Sequence, residues 1–397
     1  MKNHQFWRSV MIGAVVGISL GTFFLCGFLF HDIVNTNHNI VASSSEFGLL
    51  LEAQSLLDQY YLREQPEQSV REYAAIRGVI SSLDDRYTFF IDPPVAQSES
   101  DVLAGTYGGI GVQIKRSEQG EMILYPFSDS PALAAGIESG DVLLAINETV
   151  VDLNMQPDLI DQMLRGEVKD GNGVTLTVGK VADGSEFTAF IPFGIINVPS
   201  VIWRVIPENP QIGYLQILRF TNRTPDEVAE ALENLKASEI VGLILDLRDN
   251  SGGLLQESVM VAGLFLGEGV IVYERNNQSE TALESKETSA IAKLPLAVLI
   301  NHNTASAAEL VAGAIQDDER GILVGQQTFG KGTVQQIFRL SDGSSLHVTS
   351  AEWLTPNHQE IDGVGLTPDI AMIPDVNGRD VELGEAIRQI ESQLDQE

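Results

Sequence analysis

The sequence predicts a multi-domain α/β protein whose largest part is a parallel sheet with crossover helices. Strand-like and helix-like runs alternate regularly from about residue 198 to residue 325, as expected when parallel strands are joined by helices. The chain of 397 residues is too long for one ordinary domain, and its hydrophobic content of 44% is enough for several packed cores. An apolar N-terminal run and a glycine-rich segment of short strands lie outside this alternation.

The N-terminal run Val10–Phe30 is apolar and predicts a membrane helix within residues 1–35. At 1.5 Å per residue it is about 31 Å long, close to the thickness of the hydrocarbon layer. Lys2 and Arg8 precede it and Asp32 follows it, so residues 1–9 are expected in the cytoplasm and the remaining chain outside, in a periplasmic or extracellular location. A cleaved signal peptide is the alternative, but no small-x-small cleavage site follows Leu29.

Three glycines of this run, Gly13, Gly17 and Gly21, recur every fourth residue. This spacing lets a second helix approach closely, which predicts a homodimer in the membrane. The competing interpretation is that glycine is simply common in membrane helices. The sequence favours neither.

Charge and cysteine content exclude several classes of protein. A net charge of -31 argues against nucleic acid as a partner, because phosphate binding needs a positive surface. The single cysteine, Cys26, excludes an internal disulfide framework and a cysteine-built zinc site. No spacing of His, Asp and Glu indicates a metal site, and no cofactor is expected.

Residues 36–100 are expected to form a polar linker followed by a small helical region. Apolar residues recur at helical spacing from Phe47 to Tyr60 and again from Val70 to Leu83. We expect the region 45–95 to pack on the larger α/β part of the chain and to have no chemistry of its own. Residues 276–290 are polar and poor in β-formers, which predicts a loop, and residues 376–397 are expected to form a C-terminal helix.

Residues 101–192 carry glycine turns between short β-type runs. Two segments, Tyr107–Val112 and Ser130–Asp141, followed by Ile146 and Asn147, resemble a PDZ domain of the bacterial protease type. A glycine-lined loop exposes backbone N–H groups that can hold a chain-terminal carboxylate, and the next strand offers an edge for the bound peptide. The predicted tail-binding residues are Gly109, Ile110, Gly111 and Val112.

Residues 193–375 form the predicted α/β domain. The expected strands are Ile212–Phe220, Val241–Leu247, Leu296–Asn301 and Ile322–Gly325, and the expected helices are Pro225–Lys236, Leu254–Leu266 and Ser306–Gln316. An antiparallel pair, Val334–Leu340 and Ser345–Leu354, is expected to follow.

Ser306 and Lys331 are the candidate nucleophile and base. Ser306 lies in the run Thr304–Glu309, Lys331 lies in Thr328–Gly332, and Gln335 follows four residues later. A serine hydroxyl needs a neighbour that accepts its proton, and a lysine made neutral by burial can do so. Gln335 could orient the amine without adding a charge. The alternative, an ordinary N-cap serine, is the commoner role on base rates.

The segment Asp246–Gly253 also ends a strand and enters a helix. In open α/β sheets functional sites gather at the carboxyl ends of strands. Gly252 or Gly253, together with Ala307, could supply the two N–H groups of an oxyanion hole. A phosphate-binding loop is disfavoured, because no Gly-Lys-Ser/Thr ending follows and the chain is acidic.

Together these segments resemble the carboxyl-terminal processing peptidases, or tail-specific proteases, from about residue 45 to residue 375. The resemblance implies a PDZ domain before a ClpP/crotonase-like protease core. It implies Ser306 as nucleophile, Lys331 as base and Gln335 as orienting amide, and protein or peptide substrates with free C-termini. It also implies that the PDZ domain gates the site.

Two other functions stay open at this point. The first is a membrane-tethered PDZ scaffold that binds peptides and has lost catalysis, although such a scaffold has no reason to keep Lys331 and Gln335. The second is another serine hydrolase such as an esterase, disfavoured because Gly-x-Ser-x-Gly is absent around Ser306. His302, four residues before Ser306, is interpreted as a loop histidine.

Overall fold

The structure is a computed structural model that describes residues 47–117, 119–152, 155–286, 294–375 and 378–395. The predicted membrane segment Val10–Phe30 and its glycine face lie outside these residues. Within the described ranges, no helix is both long enough and apolar enough to cross a membrane.

The chain divides into two compact units, residues 1–72 and 73–397. The described part of the first unit contains helix α1 (Gly48–Tyr60) and the start of helix α2 (Gln68–Ser81). Both predicted helical runs are therefore confirmed, with ends that differ by one or two residues. Asp58 of α1 accepts hydrogen bonds from Gln54 at 2.8 Å and from Arg71 at 2.9 Å, which ties the two helices together.

The second unit begins with a β-rich domain. The strand β1 (Phe89–Ile91) and the helix α3 (Pro93–Ala104) lead into this domain. Its own elements are β2 (Thr106–Gly109), β3 (Val112–Arg116), β4 (Met122–Pro126), α4 (Pro131–Ala134), β5 (Val142–Ile146), β6 (Thr149–Val150), α5 (Pro157–Met163), β7 (Gly173–Gly179), β8 (Glu186–Pro192) and β9 (Gly194–Asn197). Strands β3, β4, β5, β7 and β8 form an antiparallel sheet in that order, and β6 pairs with β5. Alternate residues of β7 are buried, as a half-buried strand requires.

The remaining elements form the α/β domain. They are β10 (Val201–Ile206), β11 (Asn209–Ile217), α6 (Thr224–Ala237), β12 (Gly242–Asp246), α7 (Leu255–Leu266), β13 (Gly269–Arg275), β14 (Glu280–Ser285), β15 (Leu296–Ile300), α8 (Ala307–Asp317), β16 (Ile322–Gly325), β17 (Thr333–Arg339), β18 (Ser345–Leu354), β19 (Ile370–Ala371) and α9 (Val381–Leu394). The strands and helices predicted for this domain are confirmed to within about three residues at each end.

The central sheet has the order β10-β11-β12-β15-β16-β19 and is parallel except for the β10–β11 pair. Its two faces bury alternate side chains. Leu243 and Leu245 of β12 pack with residues of α6, α7 and α8, whereas Ile244 packs with residues of α9. The carboxyl ends of β12 and β15 therefore meet at one edge, and the loops after them carry the candidate site residues.

A second sheet contains β1, β18, β13 and β14 in that order, and β17 also pairs with β18. Residues 276–290 were predicted to form a loop, and this prediction is wrong for residues 280–285, which form the strand β14 of a β13–β14 hairpin. The Asn276 carboxamide oxygen accepts hydrogen bonds from the N–H groups of Gln278 and Ser279, and this closes a tight turn that lets a polar strand follow. Residues 287–290 lie outside the described ranges.

Arg248 joins the loop after β12 to the C-terminal helix α9. Its guanidinium binds both carboxylate oxygens of Asp246, which is 1% exposed, and also Asp380 and Glu382 at the start of α9. The Asp246 carboxylate also accepts a hydrogen bond of 2.7 Å from Tyr214. This cluster fixes the chain just before the Gly252–Gly253 turn.

We expect Arg248→Gln to lower the free energy of unfolding by about 3 kcal/mol, because the buried Asp246 carboxylate loses its cation. Urea denaturation measures this change. The matched control is Arg388→Gln, which removes an exposed guanidinium paired with Glu385 and should change stability by less than about 0.5 kcal/mol. Equal stability of the two variants would contradict the role given to Arg248.

Candidate active site

Ser306 connects β15 to α8 through an unusual backbone conformation. Its φ is 55° and its ψ is -119°, a region that non-glycine residues rarely occupy and that recurs at functional sites. A sharp turn of this kind between strand and helix presents a nucleophilic side chain above the sheet. The Ser306 side chain lies on the wall of a cavity of about 220 Å³, where Lys331 and Gln335 also lie.

The carboxylate of Glu309 holds this turn against the loop that carries Lys331. Glu309 is completely buried. One of its oxygens accepts hydrogen bonds from the N–H groups of Ser306 at 2.8 Å and Lys331 at 2.9 Å. The other accepts from the Thr328 hydroxyl at 2.5 Å and the Gly330 N–H at 2.7 Å. Four donors on one buried carboxylate therefore set the distance between the backbones of nucleophile and base.

A chain of hydrogen bonds orients the Lys331 amine. Its Nζ donates to Gln335 Oε1 at 2.6 Å, and Gln335 Nε2 donates to the backbone carbonyl of Tyr87. A carbonyl can bind only the nitrogen end of the Gln335 amide, so this bond leaves the oxygen end of the amide facing Lys331. The Tyr87 ring lies 5.3 Å from Nζ. Residues 45–95 were expected to have no chemistry of their own, and the contact of Tyr87 with Gln335 shows that this region nevertheless supplies a backbone carbonyl that positions a site residue.

Within the described part of the chain, Lys331 Nζ and Ser306 Oγ share a cavity wall and form no hydrogen bond with each other. The amine is bound to Gln335 instead. Catalytic hydrogen bonds are often long without substrate and shorten only in the complex. The predicted constellation of Ser306, Lys331 and Gln335 is thus brought together around one cavity.

Burial lowers the pKa of Lys331 below the usual range of a lysine amine, and the positive charge of Arg219 lowers it further, whereas the Glu99 carboxylate opposes both effects. Glu99 lies on α3, and its carboxylate is 3.0 Å from Nε2 of His347. The interaction with His347 is the largest cause of a lowered pKa for Glu99. The His347 ring is 2% exposed and stacks on Phe89.

Two backbone N–H groups point to an anion-binding spot beside Ser306. The N–H of Gly252 is engaged, because it donates to the Asn250 side chain at 2.9 Å. Those of Gly253 and Ala307 donate to no acceptor in the described ranges, and both residues line the cavity. The sequence did not decide between Gly252 and Gly253 as the oxyanion donor, and of the two only Gly253 has an N–H group without an acceptor in the described ranges.

Both glycines are required by their surroundings. A Cβ on Gly252 would lie 2.9 Å from the Ala305 oxygen, and a Cβ on Gly253 would lie 2.0 Å from the Phe220 oxygen. The loop after β12 is also bonded to the loop after β15. Ala305 N–H donates to the Asn250 carbonyl at 2.9 Å, and the Thr304 hydroxyl donates to the Leu247 carbonyl at 2.8 Å.

The four predicted tail-binding residues lie where β2 leads into β3. Gly109 pairs with Gly194, and the N–H of Ile110 donates to the Leu164 carbonyl at 3.2 Å. The Gly111 N–H donates to no acceptor among the residues described here. Val112 begins β3, which is an edge strand of its sheet.

Several residues at the site were missed by sequence reasoning, namely Tyr87, Glu99, Arg219, Glu309 and His347. Only Glu309 carried a local signal, since it lies three residues after an N-terminal serine as in a capping box. The others come from distant segments that only the fold assembles. His302 is exposed, and its Nδ1 lies 3.3 Å from Gln326 Oε1. The described residues contain no group of His, Cys, Asp and Glu side chains suited to a metal ion.

Comparisons with known proteins show what the chain is similar to. A family model described as Peptidase family S41 matches residues 211–372. The chain is 32% identical to a carboxy-terminal-processing protease of Bartonella bacilliformis, over 89% of this chain and 81% of that protein. It is 32% identical to the carboxy-terminal processing protease CtpA of Bacillus subtilis, over 92% and 77%. A solved photosystem II D1 C-terminal processing protease is 28% identical with a TM-score of 0.49, over 85% and 96%.

We expect Glu309→Gln to lower the free energy of unfolding by about 2 to 4 kcal/mol, because the new amide nitrogen faces backbone donors that need an acceptor. Urea denaturation measures the loss. Glu233→Gln is the matched control, since Glu233 is exposed on α6 and its change should stay within about 0.5 kcal/mol. A Glu309→Gln protein as stable as this control would show that the four bonds carry little energy.

We expect Glu99→Gln to lower the pKa of Lys331 further, because the carboxylate that favours the ammonium form is removed. Carbon-13 NMR of protein with labelled lysine side chains, titrated with pH, measures this. The signal of Lys180, which pairs with Asp141 in the β-rich domain, is the internal control and should not move. An unchanged or raised Lys331 pKa would contradict the electrostatic influence of Glu99.

Proposed function

The chain belongs to the carboxy-terminal processing proteases of peptidase family S41, which are serine-type peptidases, and we propose that it cleaves protein substrates near their C-termini through an acyl-enzyme on Ser306. The observation that carries this proposal is the bond chain from Lys331 through Gln335 to Tyr87, on the same cavity wall as Ser306. It is an oriented, half-buried amine beside a serine on a strained turn.

The proposed reaction uses Lys331 in its neutral form. An amine that donates one N–H to Gln335 Oε1 keeps its lone pair free for the Ser306 proton. Ser306 Oγ then forms a bond to the carbonyl carbon of the scissile peptide, and the lysine ammonium transfers its proton to the leaving amine as the C–N bond breaks. A water molecule, deprotonated by the same amine, attacks the ester, and Ser306 recovers its proton.

Gly253 and Ala307 are the proposed oxyanion donors. The tetrahedral intermediate places a negative charge on the former carbonyl oxygen, and two fixed N–H groups would stabilise it. The free N–H groups of both residues support this role. The N-terminal end of α8 adds a favourable field, because Ala307 is its first residue.

The β-rich domain is proposed to act as a PDZ domain that binds the substrate tail. An extended peptide can add to the open edge of β3, beside α5, with its terminal carboxylate near the free N–H of Gly111. The edge position of β3 and the Gly109–Val112 turn support this binding mode. Specificity would then depend on the last apolar residues of the substrate and on a free C-terminus.

We further propose that the catalytic part works outside the cytoplasm, on a single-pass anchor. The support is the apolar run Val10–Phe30 with Lys2 and Arg8 before it. Substrates would then be proteins of the membrane surface or of the adjacent compartment.

We expect Ser306→Ala and Lys331→Ala each to lower kcat/KM by at least roughly 1000-fold on an internally quenched peptide that ends in apolar residues with a free carboxylate. The wild-type protein should cleave the same peptide more slowly when its C-terminus is amidated, because the tail-binding donors lose their anion. Mass spectrometry of the products locates the cut.

His302→Ala is the matched control and should cleave like the wild type, because His302 is exposed and its Nδ1 faces Gln326. Unchanged cleavage by Ser306→Ala would refute the nucleophile. Tail binding by a wild-type protein that cleaves nothing would favour the peptide-binding scaffold.

A further inference from the structure

Arg219 lines the active-site cavity. It follows β11 and directly precedes Phe220, whose N–H donates to the Gly252 carbonyl at 3.0 Å and whose carbonyl accepts from the Leu254 N–H at 2.9 Å. The Phe220 side chain is fully buried. Because successive side chains of an extended segment point to opposite sides, Arg219 faces the cavity that Ser306 and Lys331 line.

Within the described part of the chain, the Arg219 guanidinium forms no ion pair, although its charge is felt by Glu99 and Lys331. Its Nε is buried and donates no hydrogen bond, and no carboxylate there lies within ion-pairing distance. Other partly buried arginines differ. Arg223 binds Glu227 at 2.8 Å, and Arg248 binds three carboxylates. An unpaired guanidinium with a buried donor is costly in a folded protein unless a ligand supplies the acceptor.

The charges around the cavity favour an anion. Arg219, whose guanidinium stays charged at any working pH, lines it together with one carboxylate, Glu99, which lies 3.0 Å from His347 Nε2. The Glu99 carboxylate interacts with Arg219 only at longer range and forms no ion pair with it among the described residues, so the hydrogen-bonding fork of Arg219 stays available to a ligand. The chain as a whole carries a charge of -31, so a guanidinium without an ion-pair partner at this place is a local departure from an acidic protein.

The rest of the cavity limits what the anion can be. Leu254, Leu255, Leu310, Val334 and Trp353 supply apolar surface next to the charges. A bound peptide can cover such a surface with apolar side chains and offer one carboxylate to the arginine fork, whose geometry matches a carboxylate with two parallel hydrogen bonds.

We propose that Arg219 is a specificity-determining residue that binds a carboxylate of the substrate peptide within a few residues of the scissile bond. The carboxylate is that of an aspartate or glutamate side chain or that of a chain end close to the cut. This inference rests on the proposed peptidase function of the same cavity and adds a preference for acidic substrates at one subsite.

The test compares kcat/KM for matched peptides. In the first arm, an amidated parent peptide carries Glu or the isosteric Gln at each position from four residues before to four residues after the cut. In the second arm, peptides end one to four residues after the cut with either a free or an amidated terminus. All rates are measured on the alkaline plateau, so that changes in the ionisation of Lys331 do not enter the comparison.

For the wild type we expect one carboxylate to raise kcat/KM by roughly 10- to 100-fold over its neutral counterpart. In Arg219→Gln this ratio should fall to within about twofold of one, and in Arg219→Lys it should be intermediate, because the charge remains without the fork. Arg388→Gln, which changes an exposed arginine of α9, should keep the wild-type ratio. Thermal unfolding of each variant confirms that it is folded.

Loss of the Glu preference in Arg219→Gln identifies a side-chain carboxylate, and loss of the free-terminus preference identifies a chain end. The inference is overturned if the wild type prefers no carboxylate in either arm, or if Arg219→Gln keeps every preference that the wild type shows. Cleavage of peptides without a carboxylate tests the peptidase function independently of the role proposed for Arg219. If the wild type cleaves them and Ser306→Ala does not, the function stands even when the inference fails.

Discussion

The buried carboxylate of Glu309 determines how the nucleophile and the base meet. The turn at Ser306 and the loop at Lys331 have no regular ladder between them. One backbone bond joins them directly, from the Phe329 N–H to the Thr304 carbonyl at 3.0 Å, and the two oxygens of the Glu309 side chain add the links that involve Ser306 and Lys331 themselves. Burying a charge is unfavourable, and here four donors compensate for the lost water. The carboxylate accepts hydrogen bonds from three backbone N–H groups and one hydroxyl and none from the Lys331 amine, so its part is to position the loop that carries the base.

The chemistry at Lys331 depends on a balance between burial and neighbouring charges. Burial and Arg219 favour the neutral amine, whereas Glu99 favours the ammonium. Glu99 and Arg219 come from different parts of the chain, the first from α3 and the second from the end of β11. The basicity of the amine is thus linked to the placement of α3, the helix that leads into the β-rich domain. The link is electrostatic and needs no direct contact with the nucleophile.

Much of the fold and part of the site could be predicted from the sequence. Apolar runs such as Leu296–Asn301 identify buried parallel strands, and the segments around Ser306, Lys331 and Gln335 carry recognisable patterns. The hairpin at 269–285 could not be predicted, because a polar edge strand has weak periodicity and depends on its partner. The choice between Gly252 and Gly253 as oxyanion donor depends on one hydrogen bond, which the Gly252 N–H donates to the Asn250 side chain. The role of Arg219 depends on which face of an extended segment lies against the cavity.

Tyr87 contributes to the site through its main chain. The group that orients Gln335 is a peptide carbonyl, and every residue type supplies the same one. Replacing the Tyr87 side chain one amino acid at a time therefore leaves that acceptor in place, and a truncation scan would pass over a contact that orients the amide beside the lysine. The site depends on the backbone path of the segment between α2 and β1, which places the Tyr87 carbonyl next to Gln335. Only substitutions that change this backbone path would remove the contact.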